Sequence, residues 1–336
     1  MSEKMEKKDA LYNECIVSAP SSTANLGPGY DVFGLGLDAL EDRILLKVNK
    51  RSTHDSNDTD NSNNIQIRIM GEGGKDIPLY PNQNSSGKVA RKIIHDFNLF
   101  EYEFIIEITK NIPPGYGMGS SAASAVATAV AFNKVFNLTN NNTQLLYYAA
   151  EGEIASAGIK HYDNVAGSFF GDFVIVKDSP ELEFIKIESP KDLILVVCVP
   201  LIDVPKMKTG VARSVLPREV PLKKMVQNLA NACTIVAGFY KGDTQMICRG
   251  INDCIIEPAR QKLIPGYYHV KENSINAGAL AFTISGAGPS TIAFSDSKKA
   301  GTKISSIMKE TYEKLNINCK TFVCTPSKGS KIILTR

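Results

Sequence analysis

Pro113-Pro114-Gly115-Tyr116-Gly117-Met118-Gly119-Ser120-Ser121-Ala122-Ala123 is a glycine-punctuated loop that runs straight into an alanine-rich helix. Three glycines at alternate positions let backbone N–H groups approach an anion with no Cβ in the way. A helix opening near Ser120 aims its unpaired first-turn amides at the same place, so the stretch suits a phosphate. Ser120 and Ser121 put two hydroxyls at that helix start, one able to cap it and one to face a metal-bound phosphate. The same pattern also serves as a tight β-to-α connection with no ligand. No Gly-Lys-Ser/Thr follows at Walker A spacing, which argues against a P-loop NTPase. From Ala122 to Ala131 the helix keeps small side chains that allow close packing.

Two further glycine segments flank this one. Pro20-Ser21-Ser22-Thr23-Ala24-Asn25-Leu26-Gly27-Pro28-Gly29-Tyr30-Asp31 places an amide, Asn25, and an anion, Asp31, on one loop. That pair suits a ligand with hydroxyl and ammonium groups, although Asn and Asp also stabilise turns unaided. Near the other end, Thr283-Ile284-Ser285-Gly286-Ala287-Gly288-Pro289-Ser290 sets a strand before a Gly-x-Gly turn, able to close over phosphates or merely to end the strand.

The chain has 336 residues, enough for two compact domains. Its 43% hydrophobic and 22% charged residues fit a soluble globular protein, with apolar runs far shorter than a membrane span. Met1 to Ala10 is charged and polar and carries no secretory pattern, so a cytoplasmic location is expected. A net charge of +3 with no basic cluster gives no basis for nucleic-acid binding. The seven cysteines are odd in number, include no Cys-x-x-Cys pair, and read as reduced thiols.

Periodicity predicts strands at 14–19, 44–48, 65–70, 104–108, 173–176 and 193–199. Helices are expected at 86–97, from 120, at 143–155 with Thr143 as the cap, and at 222–239. Arg51 to Asn64 is dominated by Ser, Asp, Asn and Thr and is expected as a solvated hairpin loop. Residues 200–221 carry four prolines and read as a connector, with a domain boundary just before them at 180–195.

Taken in this order, the three glycine segments resemble the GHMP kinase superfamily, and within it the homoserine kinase family. The likeness is carried by Ser22-Thr23-Ala24-Asn25-Leu26-Gly27-Pro28-Gly29-Tyr30-Asp31, His161-Tyr162-Asp163-Asn164-Val165-Ala166 and Ile284-Ser285-Gly286-Ala287-Gly288-Pro289. It runs from about Cys15 to the C-terminus. The resemblance implies an α+β fold of two domains, the first like domain 2 of ribosomal protein S5 and the second ferredoxin-like. Residues 1–13 would be an extension, 14–185 the ATP-binding domain and 186–336 the C-terminal domain. It implies ATP-dependent phosphorylation of the L-homoserine hydroxyl in threonine biosynthesis, with Mg²⁺.

By the same resemblance, Ser121 and Glu153 are magnesium ligands, a hydroxyl and a carboxylate of the hard-oxygen type. Pro113, Pro114, Gly115, Tyr116, Gly117, Met118, Gly119, Ser120, Ser121, Ala122 and Ala123 hold the nucleotide, with Asn84 near the adenine. Asn25, Asp31, Asn164 and Gly286 hold homoserine, and His161 lines the same region. Arg213 and Arg260 grip its carboxylate, as a guanidinium fork suits. Asn164 and Thr209 contact the reacting groups. Mevalonate and galactose kinases place an aspartate base where this chain has Asn164, and an amide cannot accept a proton. Transfer would then rest on in-line positioning and electrostatics.

Two other readings fit the same residues: a GHMP kinase for another small alcohol, of the mevalonate-pathway type, and a non-catalytic nucleotide-binding relative. The partner expected is a small-molecule substrate, with neither nucleic acid nor membrane. A homodimer stays open, because oligomeric state is not readable from these residues.

Overall fold

The computed structural model of the chain describes residues 8–51, 64–158, 160–205 and 208–336. The first half holds β1 (Glu14–Ala24), β2 (Phe33–Lys50), β3 (Ile65–Met70), α1 (Ser85–Asp96) and β4 (Tyr102–Thr109), then α2 (Ser120–Phe136), α3 (Asn142–Ala157), α4 (Tyr162–Phe170), β5 (Phe173–Lys177) and β6 (Glu183–Ile187). The second half holds β7 (Ile194–Pro200), α5 (Lys208–Ser214), α6 (Leu222–Lys241), α7 (Thr244–Gly250), α8 (Ile256–Arg260), α9 (Tyr267–Asn276), β8 (Ala281–Ile284), β9 (Thr291–Ser295), α10 (Lys298–Lys314), β10 (Cys319–Cys324) and β11 (Lys331–Thr335).

Strand alternation builds the first sheet. Cys15, Val17 and Ala19 on β1 and Leu35, Leu37, Ile44 and Leu46 on β2 are all fully buried on one core. The strand order is β11-β1-β2-β4-β3, with β5 pairing an early stretch of β2 and β6 pairing β5. Over this sheet lies α2, whose residues from Ala122 to Ala129 are nearly all buried, as a helix apolar on every side requires. Gly152 on α3 faces Ala125 on α2 so closely that an added Cβ would sit 2.6 Å from the Ala125 Cβ. That close approach sets the next residue, Glu153, near the mouth of α2.

The second sheet is antiparallel in the order β10-β7-β9-β8, the ferredoxin-like arrangement. Every residue of β7 is buried, because the strand is covered on both faces. Leu195, Val197 and Val199 join the core of the first sheet, while Val196 and Cys198 pack with Val270, Ile304, Met308 and Tyr312 from α9 and α10. One apolar core therefore runs through both halves.

Several expectations are adjusted. β1 extends to Ala24 and absorbs Pro20 through a register shift between Pro20 and Ser21. The expected division at 185 falls within β6, and β11 returns from the last residues to pair with β1, so the end of the chain lies in the first sheet of this two-domain fold. The polar segment 51–64 lies outside the described residues apart from its two ends. Those ends lead to β2 and β3, which flank β4 on opposite sides and do not pair with each other, so no hairpin joins them. Within the supposed connector 200–221, residues 208–214 form α5.

Candidate active site

The three glycine segments meet. Asn25 Nδ2 donates to the Gly286 carbonyl at 2.9 Å, Gly286 N to Ala24 O at 3.3 Å, and Ser285 Oγ to Gly117 O at 2.7 Å. Gly115, Gly117 and Gly119 have φ of 85°, 80° and 65°, so alternate residues of the loop lie in the left-handed region. At Gly117 an added Cβ would stand 2.3 Å from the Ser285 carbonyl oxygen, and at Gly119 2.0 Å from Ser22 Oγ. The loop is thus shaped by what presses on it from the other two segments.

Gly119 is the N-cap of α2 and no side chain caps the helix. Neither serine does so: Ser120 Oγ is turned back to donate to Ile112 O at 2.8 Å, and the Ser121 hydroxyl is engaged by the Glu153 carboxyl. The positive end of α2 faces a cavity of about 250 Å³. Among its lining residues are Asn25, Asp31, Pro114, Gly115, Gly117, Gly119, Ser120, Ser121, Glu153, His161, Asn164, Thr209, Arg213, Arg260 and Gly286, fifteen of the residues the sequence singled out.

One wall is cationic and anionic by turns. Arg213 Nη2 donates to both Asp31 carboxylate oxygens, at 3.0 and 2.7 Å. Arg260, 3% exposed, donates through Nε to Ala212 O at 3.1 Å and through Nη1 to Gly286 O at 3.3 Å. Both guanidinium groups lie over the Tyr30 ring, at 5.5 and 5.0 Å from its centroid. The lining also holds Glu153, whose carboxyl burial pushes up to about 7, against a hydrogen bond from Ser121 that favours the charged form. His161 Nδ1 is 3.8 Å from Glu153 Oε2, and burial together with Arg213 holds the imidazole below its usual range.

Asn164 is fixed at both ends. Its Oδ1 accepts from Ser22 Oγ at 3.2 Å, and its backbone N–H donates to Asp163 Oδ1 at 2.7 Å. Asp163, also raised to about 7 by burial and then by Asp31, lines the cavity with its carboxyl turned to that amide.

Six expected nucleotide-binding residues lie outside the cavity lining. Asn84 caps α1, accepting from Gly87 N at 3.2 Å and donating to Pro78 O at 2.8 Å. Tyr116 donates to Ile202 O, and Met118, Ala122 and Ala123 are core residues, with the Ala123 amide spent on Gly119 O. Pro113 is half-buried at the start of the loop, beside the lining residue Pro114.

Two features escaped the sequence reading. Lys208, on α5, lines the cavity with its Nζ hydrogen-bonded to the Gly288 carbonyl, and burial beside Arg260 brings its amine down to about 7. Its signal was adjacency to Thr209, hidden once the segment read as a connector. Buried Lys110 forms an ion pair with Asp42 and donates to Ser120 O at 2.6 Å and Ser124 Oγ at 2.8 Å. Asp42 in turn accepts from the backbone of Asn111 and Ile112. The pair ties β2, the loop and α2 together across 68 residues of sequence, a distance no local pattern spans.

Comparison with known proteins bears on this geometry. The pattern of the GHMP kinases N terminal domain matches residues 84–172 and that of GHMP kinases C terminal matches residues 235–314. A homoserine kinase of Methanococcus maripaludis is 38% identical over 93% of this chain and 96% of its own length. The chain belongs to the homoserine kinase family of GHMP kinases. A homoserine kinase of Chlorobium phaeobacteroides is 34% identical over 90% of this chain and 93% of its own. The crystal structure of homoserine kinase from Cytophaga hutchinsonii superposes with a TM-score of 0.86 at 33% identity, covering 97% of this chain and 99% of that one. Mevalonate kinase of L. major shares the fold at a TM-score of 0.68 and 15% identity, covering 98% of this chain and 100% of its own. As GHMP kinases, homoserine kinases use ATP, and the N-terminal pattern spans both the glycine loop and Asn164.

Ser121 and Glu153 fit a magnesium ion. They offer one hydroxyl and one carboxylate beside the helix end, and no group of three or more His, Cys, Asp or Glu among the described residues forms an all-protein cage. Such a sparse hard-oxygen set suits Mg²⁺, which keeps several waters and takes substrate phosphates as further ligands.

Proposed function

We propose that the protein transfers the γ-phosphoryl group of ATP to the side-chain hydroxyl of L-homoserine, giving O-phospho-L-homoserine in threonine biosynthesis. The observation that carries this reading is a zwitterion-shaped wall, Asp31 with Arg213 and Arg260, in the same small cavity as the uncapped end of α2. Asp31 takes the ammonium group. The two arginines take the carboxylate, Arg213 by shifting one of its donors from Asp31 to the ligand.

The triphosphate lies over the glycine loop and the first turn of α2, where backbone amides and the helix dipole meet its charge. Lys208, in the same lining, can donate to the phosphates, whose charge favours the protonated amine that burial disfavours. Magnesium, when bound at Ser121 and Glu153, neutralises charge on the phosphate oxygens. Asn164 and Thr209 hold the substrate hydroxyl in line with the γ-phosphorus. Asn164 cannot take the proton, and the Asp163 carboxyl orients Asn164 instead of abstracting. A loose transition state makes this sufficient: the hydroxyl proton leaves late, onto the phosphoryl oxygens, and alignment with electrostatics supplies the rate.

ADP release measured in parallel with L-homoserine, mevalonate and 4-hydroxybutyrate tests the proposal. Homoserine should exceed 4-hydroxybutyrate, which lacks the ammonium group, by about 10³-fold or more in kcat/KM, because Asp31 is then left unmatched. Turnover of mevalonate without homoserine would assign another alcohol, and ATP binding with no turnover at all would make the protein a non-catalytic relative.

A further inference from the structure

α8 has only five residues, and a helix so short does not hold itself in water. It nevertheless ends on Arg260, whose Nε bond to Ala212 O and Nη1 bond to Gly286 O join α5, beside Arg213, to the third glycine segment. The other end of α8 is fixed by the buried carboxylate of Asp253. Its Oδ1 accepts from the backbone of Ile255 at 2.8 Å and of Ile256 at 3.0 Å. Its Oδ2 accepts from Ile256 N at 3.1 Å and Glu257 N at 2.7 Å. Pro258, next in line, has no N–H to satisfy, so the amides that the start of a helix leaves unpaired are all accounted for by one anion. A negative charge is also the sign that this end of a helix favours.

Asp253 is itself anchored. Asn228 of α6 donates through Nδ2 to its Oδ1 at 2.8 Å, while the Asn228 Oδ1 accepts from Cys254 N at 3.0 Å. Among the described residues no cation pairs with Asp253, so its charge is spent on ordering backbone and on Asn228. Keeping a carboxylate buried on neutral partners is costly, which marks a place where geometry matters. Glu257, four residues on, ties α8 to the other side. Its carboxylate accepts from Lys271 Nζ on α9 at 2.5 Å and from Thr283 Oγ1 on β8 at 2.8 Å. Thr283 precedes Gly286 by three residues, so α8 and the Gly-x-Gly turn are held as one unit with Arg260 between them.

We propose that Asp253 is a positioning residue for the amino-acid substrate: it fixes the start of α8 so that Arg260, at the end, meets the substrate carboxylate. The proposal rests on the assignment of Arg260 to the homoserine carboxylate given above. Asp253 does not line the cavity, so it reaches the ligand through Arg260. The glycine loop and α2, which face the nucleotide, make no hydrogen bond with it among the described residues, and the effect falls on one substrate of the two.

Steady-state kinetics with homoserine and ATP varied in turn test this. Asp253→Ala should raise KM for homoserine about 10-fold and leave KM for ATP within about 2-fold of wild type. Built into Arg260→Ala, it should add less than about 2-fold to KM for homoserine, because the residue through which it acts is gone. Asp253→Asn keeps the Oδ1 acceptor and loses the one facing Glu257, so it should show the same split at a smaller size, even where the alanine variant fails to fold. Equal rises in both KM values, effects that multiply in the double variant, or a wild-type KM for homoserine in Asp253→Ala overturn the proposal and leave the carboxylate site as assigned. An unchanged KM for homoserine in Arg260→Ala overturns that assignment and the proposal with it.

Discussion

Glu153 shows how a single residue can serve the site at the expense of the fold. Its carboxyl is buried and raised from 4.5 to about 7, so the fold holds it reluctantly as an anion. The unfolded chain ionises near 4.5, and between there and about 7 the unfolded state gains charge that the folded state resists, so stability is lost as pH rises through that window. The gap amounts to roughly 3 kcal/mol. Glu153→Gln should therefore raise the thermal midpoint at pH 8 without magnesium, narrow that gain at pH 5, and lower kcat by about 10²-fold or more; near wild-type turnover would remove Glu153 from the proposed metal site. In the wild type, kcat/KM should fall as pH drops below about 7, since only the carboxylate can hold the cation. Arg213 belongs to the same scale. Its Nη2 is shared between the Asp31 oxygens, and Arg213→Ala should raise KM for homoserine roughly 10- to 100-fold, the worth of a charged hydrogen bond, with KM for ATP nearly unchanged. A change in ATP affinity alone would reassign the arginine to the nucleotide.

At the scale of elements, what the sequence exposed and what it hid divide by the range of the interactions involved. The glycine loop and α2 were legible because alternate glycines and an alanine run act locally. β1 was read five residues short, since Pro20-Ser21-Ser22 looks like a turn until β2 supplies the partners that turn it into a bulged strand. α5 was missed because seven residues between prolines make a helix only with tertiary support, and with it went Lys208. The Asp31–Arg213 pair joins residues 182 apart, so each was visible as a candidate and their contact was not. The loop itself yields a prediction of this kind. Gly117→Ala puts a methyl 2.3 Å from a backbone carbonyl at a φ that alanine resists, so it should displace the loop and cut kcat/KM by about 10²-fold or more. Gly210→Ala, where an added Cβ meets nothing within 4 Å, should leave activity and melting temperature close to wild type.

For the whole molecule the ruling fact is that the second half is woven into the first. β7 is covered on both faces, and β11 crosses back to lie beside β1, with Cys15 opposite Thr335 and Ser18 opposite Lys331. Periodicity recovered β7 but gave no hint of that return, because a short strand with Ile332 and Ile333 nearly half exposed carries little apolar signal. Its value lies in ladder hydrogen bonds and in covering the β1 edge, to which Asn13 and Glu14 add backbone bonds with Arg336. A chain ending at Ser330 should lose about 2–4 kcal/mol in urea unfolding, at roughly 1 kcal/mol per net hydrogen bond, and should self-associate through the bared edge. It should still unfold in one step when followed by far-UV circular dichroism, since the core that joins the two sheets is untouched. Two separate transitions in the full-length chain would show instead that the halves stand on their own, and that the shared core binds them less tightly than the burial of Leu195, Val197 and Val199 requires.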